Sequence, residues 1–288
     1  MARIINGIDH IGIASSDMLK NDINYRNMGF NLTQPEPLMS LDSNNKPIEL
    51  GQYSHHFIFK KTYVELTGVM DSSKDSYIGS FLEKHEGLHI LCFNSNNVSN
   101  AATKLQQKGI NVGKVQISSR RVNYGNKGIA KFKWFIIPHS ITPEGLICIV
   151  EHLTPELVFQ DSLMCHKNFS NSLLEVKICT KNLTQCCENY SKILDTNYVP
   201  HPLGYQFDFS SNSLVILNYE SYKSQYPSEE PPKTPCLASF SIQVSDIDKT
   251  KKFLKDKDIN FNSRNSECFW ISSKDGGGAI IEFYQKNN

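Results

Sequence analysis

The sequence contains no apolar run of the roughly 18 residues that a membrane-spanning helix needs. Its longest candidates, Phe135–Ile137 and Ile147–Val150, have the length of strands. An excess of either charge is also missing, since 30 Lys+Arg face 29 Asp+Glu for a formal net charge of +1. This balance argues against binding to nucleic acid or anionic membranes through bulk charge. The N-terminus has a single arginine, Arg3, and no apolar segment typical of a signal peptide.

Paired cysteine motifs are absent as well. None of the eight cysteines lies in a Cys-x-x-Cys pair or at the spacing of a zinc ribbon. Cys92, Cys148 and Cys179 lie in apolar, strand-like runs, where cysteine usually acts as a small hydrophobic residue. We therefore expect a globular protein of the reducing cytoplasm, a monomer or homodimer that acts on a small molecule.

An internal repeat organises the chain. Each copy has an apolar strand, a helix opened by an Asp or Asn cap, and a closing apolar strand. The first strands begin near residues 8, 87, 173 and 238. Ser16-Asp17 and Asn97 are predicted to cap the first two helices, and the other two helices begin at Asn182 and Asp246. The closing strands are Tyr63–Leu66, Ile147–Glu151, Leu214–Leu217 and Ala279–Phe283. The pattern predicts an α+β fold of four βαβββ units.

The four units group into two halves. A polar stretch broken by Pro155 separates the second unit from the third, which is typical of a connection between domains. We predict a first domain over residues 1–158, a linker over 159–171 and a second domain over 172–288.

Polar side chains stand at equivalent places in the apolar strands of the first half. His10 and His89 lie in the first strands of units one and two, and Glu65 and Glu151 lie in the last strands. A carboxylate among Val, Ile and Leu is costly to bury unless it is paired or bound to a cation. If the two units pair about a pseudo-twofold axis, all four side chains converge. Such a donor set suits a divalent metal ion such as Zn, Ni, Fe or Mn.

The chain resembles a known family at these residues. The βαβββ repeats and the His–Glu–His–Glu order resemble the vicinal oxygen chelate superfamily, which includes glyoxalase I and extradiol dioxygenases. The segments Ile8–Ile11, Tyr63–Leu66 and Glu151–Leu157 resemble its glyoxalase-like domain proteins. The resemblance implies cupped eight-stranded sheets and a divalent metal that grips neighbouring oxygens of the substrate. His10, Glu65, His89 and Glu151 match the metal-ligand positions.

The second half keeps the repeat but departs from the motif. Glu175 stands where the first half has His10, and Glu282 matches Glu151. The equivalents of Glu65 and His89 fall at about Ile216 and Phe240. We therefore expect no metal ligands at Glu175 or Glu282, and a structural or substrate-facing role for this domain.

Further polar residues are candidates for contacts with the substrate. Only one of His55 and His56 can face inward on a strand, and His56 is the candidate; His152 competes with Glu151 for the inward position. A basic cluster contains Arg120, Arg121, Lys127, Lys131 and Lys133. A solvated face is the favoured interpretation of this cluster, with Arg121 the candidate for contact with an anionic substrate.

Three functions follow from these residues. The leading hypothesis is a metal-dependent lyase or isomerase that stabilises an enediolate, with Glu65 or Glu151 moving the proton. The second is a ring-cleaving Fe(II) dioxygenase that uses His10, His89 and Glu151 as a facial triad. The third is a protein of the same fold that binds a small ligand without turnover.

Overall fold

The computed structural model describes residues 4–42, 44 and 46–285. The first half forms a closed eight-stranded barrel in the order β1-β4-β3-β2-β6-β7-β8-β5. Its strands are β1 (Ile5–Ala14), β2 (Glu36–Leu41), β3 (Pro47–Ile58), β4 (Tyr63–Val69), β5 (Gly87–Ser95), β6 (Gln116–Val122), β7 (Gly128–Ile136) and β8 (Leu146–His152). Strands β1 and β4 pair in parallel, as do β5 and β8, while β1 and β5 run antiparallel at the centre.

The second half forms an eight-stranded sheet in the order β10-β11-β12-β9-β13-β16-β15-β14. Its strands are β9 (Ser170–Cys179), β10 (Val199–His201), β11 (Gly204–Asp208), β12 (Ser213–Leu217), β13 (Cys236–Val244), β14 (Asn262–Ser263), β15 (Cys268–Ile271) and β16 (Ile280–Tyr284). Here β9 and β13 form the central antiparallel pair, and each also has a parallel neighbour. The predicted α+β fold of four βαβββ units is confirmed.

Helices lie between the strands of each unit. They are α1 (Met18–Asn27), α2 (Gly79–Leu82), α3 (Val98–Gln107), α4 (Pro155–Val158), α5 (Leu183–Leu194), α6 (Tyr219–Gln225) and α7 (Ile247–Lys255). The predicted caps Asp17 and Asn97 are confirmed, and Asn182 and Asp246, where the other two helices were predicted to begin, are caps as well, since each side chain accepts a hydrogen bond from a backbone N–H of the first turn. No helix among the described residues is long and apolar enough to cross a membrane. The predicted linker, residues 159–171, ends inside β9.

The two halves share one hydrophobic core. Buried residues of α1, α3, α5 and α7 join those of both central strand pairs in a single cluster. Asn212 adds a polar link, since its side chain accepts a hydrogen bond from the N–H of Ile8 and donates one to the Ile8 carbonyl, both at 3.0 Å. Because Asn212 belongs to the second half, that half fixes the position of β1.

The pairing of β1 with β5 contains three register shifts, and two of them, one with its extra residue on each strand, concern the site. Ile8 pairs with Phe93 and His10 with Cys92, so Asp9 has no partner of its own. Gly12 pairs with Ile90 and Ile13 with Leu88, so His89 is the extra residue on β5. A bulge turns side chains away from strict alternation. The two strands are related by a pseudo-twofold axis, so the extra residue of one corresponds to the extra residue of the other. His89 is therefore the equivalent of Asp9, and Ile90, which follows it, is the equivalent of His10.

A buried carboxyl joins the two halves. The hydroxyl of Tyr190 on α5 donates a hydrogen bond to Glu144, which lies in the loop between β7 and β8. Burial raises the pKa of Glu144 from 4.5 to about 7, although the hydrogen bond from Tyr190 opposes this shift. Compared with the unfolded chain, the folded chain therefore favours the neutral, protonated form of the Glu144 carboxyl.

This carboxyl makes stability depend on pH in a predictable direction. The pKa of Glu144 is higher in the folded chain than in the unfolded chain. The contribution of Glu144 to the free energy of unfolding is therefore complete below pH 4.5 and is lost as the pH rises through 7. Relative to Glu144→Gln, the free energy of unfolding of the wild type should fall by about 3 kcal/mol between pH 4 and 8. Urea unfolding of both proteins across this range measures the difference. A constant difference would contradict the assignment.

Candidate functional site

A cavity of about 110 Å³ lies inside the barrel of the first half. Its wall is mainly apolar and aromatic, with a few polar side chains, which is typical of small-molecule sites. The polar lining residues are His10, Glu36, Gln52, Ser54, His56, Glu65, Ser118 and Arg120, and the aromatic ones are Tyr63, Tyr77, Phe132 and Trp134.

His10 is held in place from two sides. Its Nδ1 lies 2.7 Å from Oδ1 of Asp9, and its ring stacks on Tyr63 with the ring centres 4.3 Å apart. The Asp9 carboxylate requires a donor, so Nδ1 carries the hydrogen and Nε2 is the free ring nitrogen. The bulge at Asp9 makes this contact possible, because adjacent residues of a regular strand point to opposite faces.

Asp9 is fully buried and has further partners. Nε2 of His152 lies 3.1 Å from both carboxylate oxygens, and Asn94 donates a hydrogen bond of 3.0 Å. Burial by itself would raise the pKa of Asp9, but the charge of His152 and the hydrogen bonds from His10 and His152 hold this pKa well below its usual value. Asp9 is therefore a carboxylate that orients His10. Asp9 was not among the predicted site residues, because strict alternation with His10 along a strand points its side chain away from the cavity.

Glu65 and His56 face the cavity from neighbouring strands. They pair across β3 and β4, and Ser54 donates a hydrogen bond to Glu65. Burial, followed by the positive charge of Arg120, holds the pKa of His56 well below 6.5, so this ring is neutral. Of the two adjacent histidines, His56 is thus the one that lines the cavity, whereas His55 lies 3.0 Å from Asp22 outside it.

Arg120 is a buried cation that has no anionic partner among the described residues. Only 7% of it is exposed, and its Nη1 lies 2.9 Å from Nε2 of His56. Its Nε and Nη2 are buried and make no hydrogen bond to any described residue. The faces of Tyr63 and Phe132 lie 5.9 Å from the guanidinium carbon. An unpaired buried charge costs several kcal/mol, so a charge placed here needs a compensating partner.

The predicted substrate contact Arg121 requires correction. Arg121 is exposed and lies on the outer face of β6, and its neighbour Arg120 occupies the cavity instead. Side chains of adjacent strand residues point to opposite faces, so a choice between them needs the sheet register. The solvated-face interpretation describes Arg121, Lys127 and Lys131, which are exposed, but it does not describe Arg120.

His89 does not join His10 at the cavity. It is the extra residue of the β5 bulge, and its Nε2 donates a 2.7 Å hydrogen bond to the backbone carbonyl of His85. Burial lowers the pKa of His89 to about 4. At the cavity, Ile90 occupies the place that the repeat assigned to His89.

Glu151 also lies outside the cavity. Its Oε2 accepts a 3.0 Å hydrogen bond from the backbone N–H of Val98, at the start of α3. A carboxylate there satisfies a free backbone donor and interacts favourably with the helix dipole. The inward residues of β8 are Leu146, Cys148 and Val150. His152 lies on the same face of β8 as these residues and contacts Asp9, but it does not line the cavity.

The predicted metal ion can now be tested against the donors. Of the four predicted ligands, His10 and Glu65 face the cavity, whereas strands β5 and β8, which carry His89 and Glu151, line it with Ile90, Cys92, Leu146, Cys148 and Val150. Within residues 4–42, 44 and 46–285, no group of three or more His, Cys, Asp or Glu side chains is placed to hold a metal ion. The structure does not bring the four predicted ligands together, so these residues do not fit the predicted four-ligand site.

The second half has ionic residues at the equivalent positions. Its bulges lie at Leu174 and Ala238, so Glu175 is the equivalent of His10, as the sequence indicated. Ser241 occupies in the second half the position that Cys92 occupies in the first. Glu282 pairs with Ser241 and Cys148 pairs with Cys92, so the equivalent of Glu282 is Cys148 rather than Glu151. The same register places the counterparts of Glu65 and His89 at Val215 and Ala238 rather than at Ile216 and Phe240.

These charges neutralise one another beside a larger cavity of about 650 Å³. The ammonium group of Lys177 lies 2.6 Å from Glu175 and also contacts Glu282. Burial would lower the pKa of Lys177, but the two carboxylates raise it well above its usual value. Arg264 contacts the other oxygen of Glu282 at 2.6 Å and helps to lower the pKa of Glu282 to about 2.

Comparison with known proteins identifies the family. The model of the glyoxalase-like domain family matches residues 8–194. The chain therefore belongs to the glyoxalase-like domain family, within the vicinal oxygen chelate superfamily that the repeats indicated. No curated protein matches the chain.

Solved structures share the fold along nearly the whole chain. A hypothetical protein from Staphylococcus aureus is 15% identical with a TM-score of 0.66, and the match covers 97% of this chain and 99% of that one. A mutant of 4-hydroxymandelate synthase from Streptomyces coelicolor is 11% identical with a TM-score of 0.59, covering 100% and 94%. The Mn(II)-bound glyoxalase from Novosphingobium aromaticivorans is 10% identical with a TM-score of 0.55, covering 99% and 83%. At these identities the likeness shows the fold alone.

The donor arrangement predicts the metal content of the protein. Protein purified without added metal should carry Zn, Ni, Fe and Mn only in substoichiometric amounts, because no three donor side chains among the described residues are placed together to hold an ion. Elemental analysis of the wild type, His10→Ala and Glu151→Gln measures this. A stoichiometric ion that is lost from His10→Ala and retained by Glu151→Gln would contradict the prediction.

Proposed function

We propose that the chain is an enzyme that moves a proton at a carbon next to a carbonyl group of a small organic molecule. The observation that carries this proposal is the shared cavity of His10, Glu65 and Arg120. These residues supply two groups that can exchange protons and one fixed positive charge. Lyase and isomerase reactions of this kind need a base, an acid and stabilisation of a developing enolate oxygen.

His10 is the proposed base. Its Nδ1–H is held by the buried Asp9, which leaves Nε2 as the nitrogen that can accept a proton. A carboxylate in this position fixes the tautomer and stabilises the imidazolium that forms. Stacking on Tyr63 restricts the rotation of the ring.

Glu65 is the second group that can carry a proton, and Arg120 supplies the charge. Glu65 lies next to the neutral His56 and is oriented by Ser54. When a proton leaves carbon, the negative charge moves to the carbonyl oxygen, and a guanidinium in a mainly apolar cavity stabilises it strongly. The proposed reaction keeps the enolate chemistry that the sequence predicted. The positive charge that stabilises the enolate oxygen comes from the Arg120 side chain.

The dioxygenase alternative has less support. It requires His10, His89 and Glu151 around one iron ion, but His89 binds the His85 carbonyl and Glu151 caps α3. The binding-protein alternative differs only in turnover, which the following experiment measures.

Proton abstraction can be detected before the natural substrate is known. The wild type should catalyse deuterium incorporation from D₂O next to the carbonyl of 2-oxobutanoate or 3-oxobutanoate, measured by proton NMR. His10→Gln and Glu65→Gln should each lose about 10²–10⁴ in exchange rate, because each removes a positioned proton carrier. Glu151→Gln is the matched control and should keep the wild-type rate.

Two results would overturn the proposal. Absence of exchange with both compounds, from folded protein, would favour the binding-protein function. Exchange that depends on Glu151 but not on Glu65 would show that the chemistry occurs elsewhere.

A further inference from the structure

Arg120 is the buried cation of the two cavities that has no counter-ion among the described residues. In the second half, Lys177 forms ion pairs with both Glu175 and Glu282. In the first half, Glu65 accepts a hydrogen bond from Ser54, and Asn123 donates one to Glu36 at the edge of the cavity. Neither carboxylate forms an ion pair with Arg120 among the described residues.

The neighbour that Arg120 does have is a poor partner for a cation. His56 is neutral, and it occupies only Nη1 of the guanidinium. The two remaining donor groups, Nε and Nη2, are buried without a partner. These two nitrogens lie on one edge of the guanidinium plane, which matches the two oxygens of a carboxylate.

The surroundings of Arg120 describe the remainder of the ligand. The ring centres of Tyr63 and Phe132 each lie 5.9 Å from the guanidinium carbon of Arg120. Trp134 and Leu38 also line the cavity. Phe132 and Leu38 can offer only apolar contact, and the indole N–H of Trp134 already donates to Ser118 at 2.9 Å, so the body of the ligand beside Arg120 should be mainly apolar. The volume of about 110 Å³ restricts it to a small molecule.

We infer that the barrel cavity takes a small organic carboxylate with an apolar body, and that Arg120 binds its two oxygens through Nε and Nη2. This inference rests on the proposed function and names its substrate class, a small acid. The acid supplies the missing counter-ion of Arg120. The carboxylate and the reacting carbonyl then lie in the same cavity as His10 and Glu65.

Calorimetric titration with benzoate and butanoate, each beside its neutral amide, tests the inference. The wild type should bind at least one acid at least tenfold more tightly than the matching amide. Arg120→Gln should weaken binding of the acid by about tenfold to a hundredfold, because it removes charged hydrogen bonds. Arg120→Lys should be intermediate, since an ammonium keeps the charge but not the paired geometry. Arg121→Gln, the exposed neighbour on the same strand, should bind the acid as the wild type does.

A second measurement distinguishes a binding role from a structural one. Without ligand, Arg120→Gln should melt at the wild-type temperature or above it, because the substitution removes an uncompensated buried charge. A clear fall in Tm, with unchanged affinity for the acid, would assign Arg120 to the fold.

Three further outcomes overturn the inference. They are failure of both acids to bind, equal binding of acid and amide, and equal effects of Arg120→Gln and Arg121→Gln. Failure of the proposed function gives a different result: Arg120-dependent binding of the acid would persist, while proton exchange would be absent or independent of His10.

Discussion

The antiparallel pairing of β1 with β5 is the constraint on which the site depends. Two extra residues, Asp9 on β1 and His89 on β5, shift the register and decide which side chains enter the barrel. The shift brings Asp9 to His10 and places Ile90 and Cys92 in the wall of the cavity. Asn212 of the second half holds Ile8, directly before the bulge at Asp9, through both of its backbone groups. The second half thus contributes to a site that it does not line.

The two halves handle buried charge in opposite ways. Around Lys177 the second half places two carboxylates and a serine hydroxyl, so the ammonium has full partners without a ligand. A buried ion pair with complete hydrogen bonding is stable as it stands. Within the part of the chain that the structure describes, the one hydrogen-bonding partner of Arg120 in the first half is the neutral His56. The first cavity is therefore the one whose electrostatics a ligand would complete.

The sequence predicted the architecture well because the fold depends on local signals. Caps such as Asp17 and Asn97, the spacing of apolar residues and the four closing strands are visible without tertiary information. Of the site, the positions of His10, Glu65 and His56 at the cavity could be predicted from burial and repeat order.

The remaining site residues depend on register, which the sequence does not contain. A bulge has no composition signal here, so His89 was matched with His10 although the sheet matches it with Asp9. The same limit applied to Arg120 and Arg121, which are adjacent in the sequence but point to opposite faces of β6. Glu151 has the pattern of a ligand in a strand, but only the position of α3 shows that it accepts the N–H of Val98.

A crystal structure of the wild type grown with benzoate or butanoate tests the central claim most directly. We expect a carboxylate bound to Nε and Nη2 of Arg120, with its apolar body against Tyr63 and Phe132 and with Arg121 still in solvent. A carboxylate seated beside Lys177 and Arg264, or an Arg120 turned to Glu65 or Glu36 in an ion pair, would contradict it.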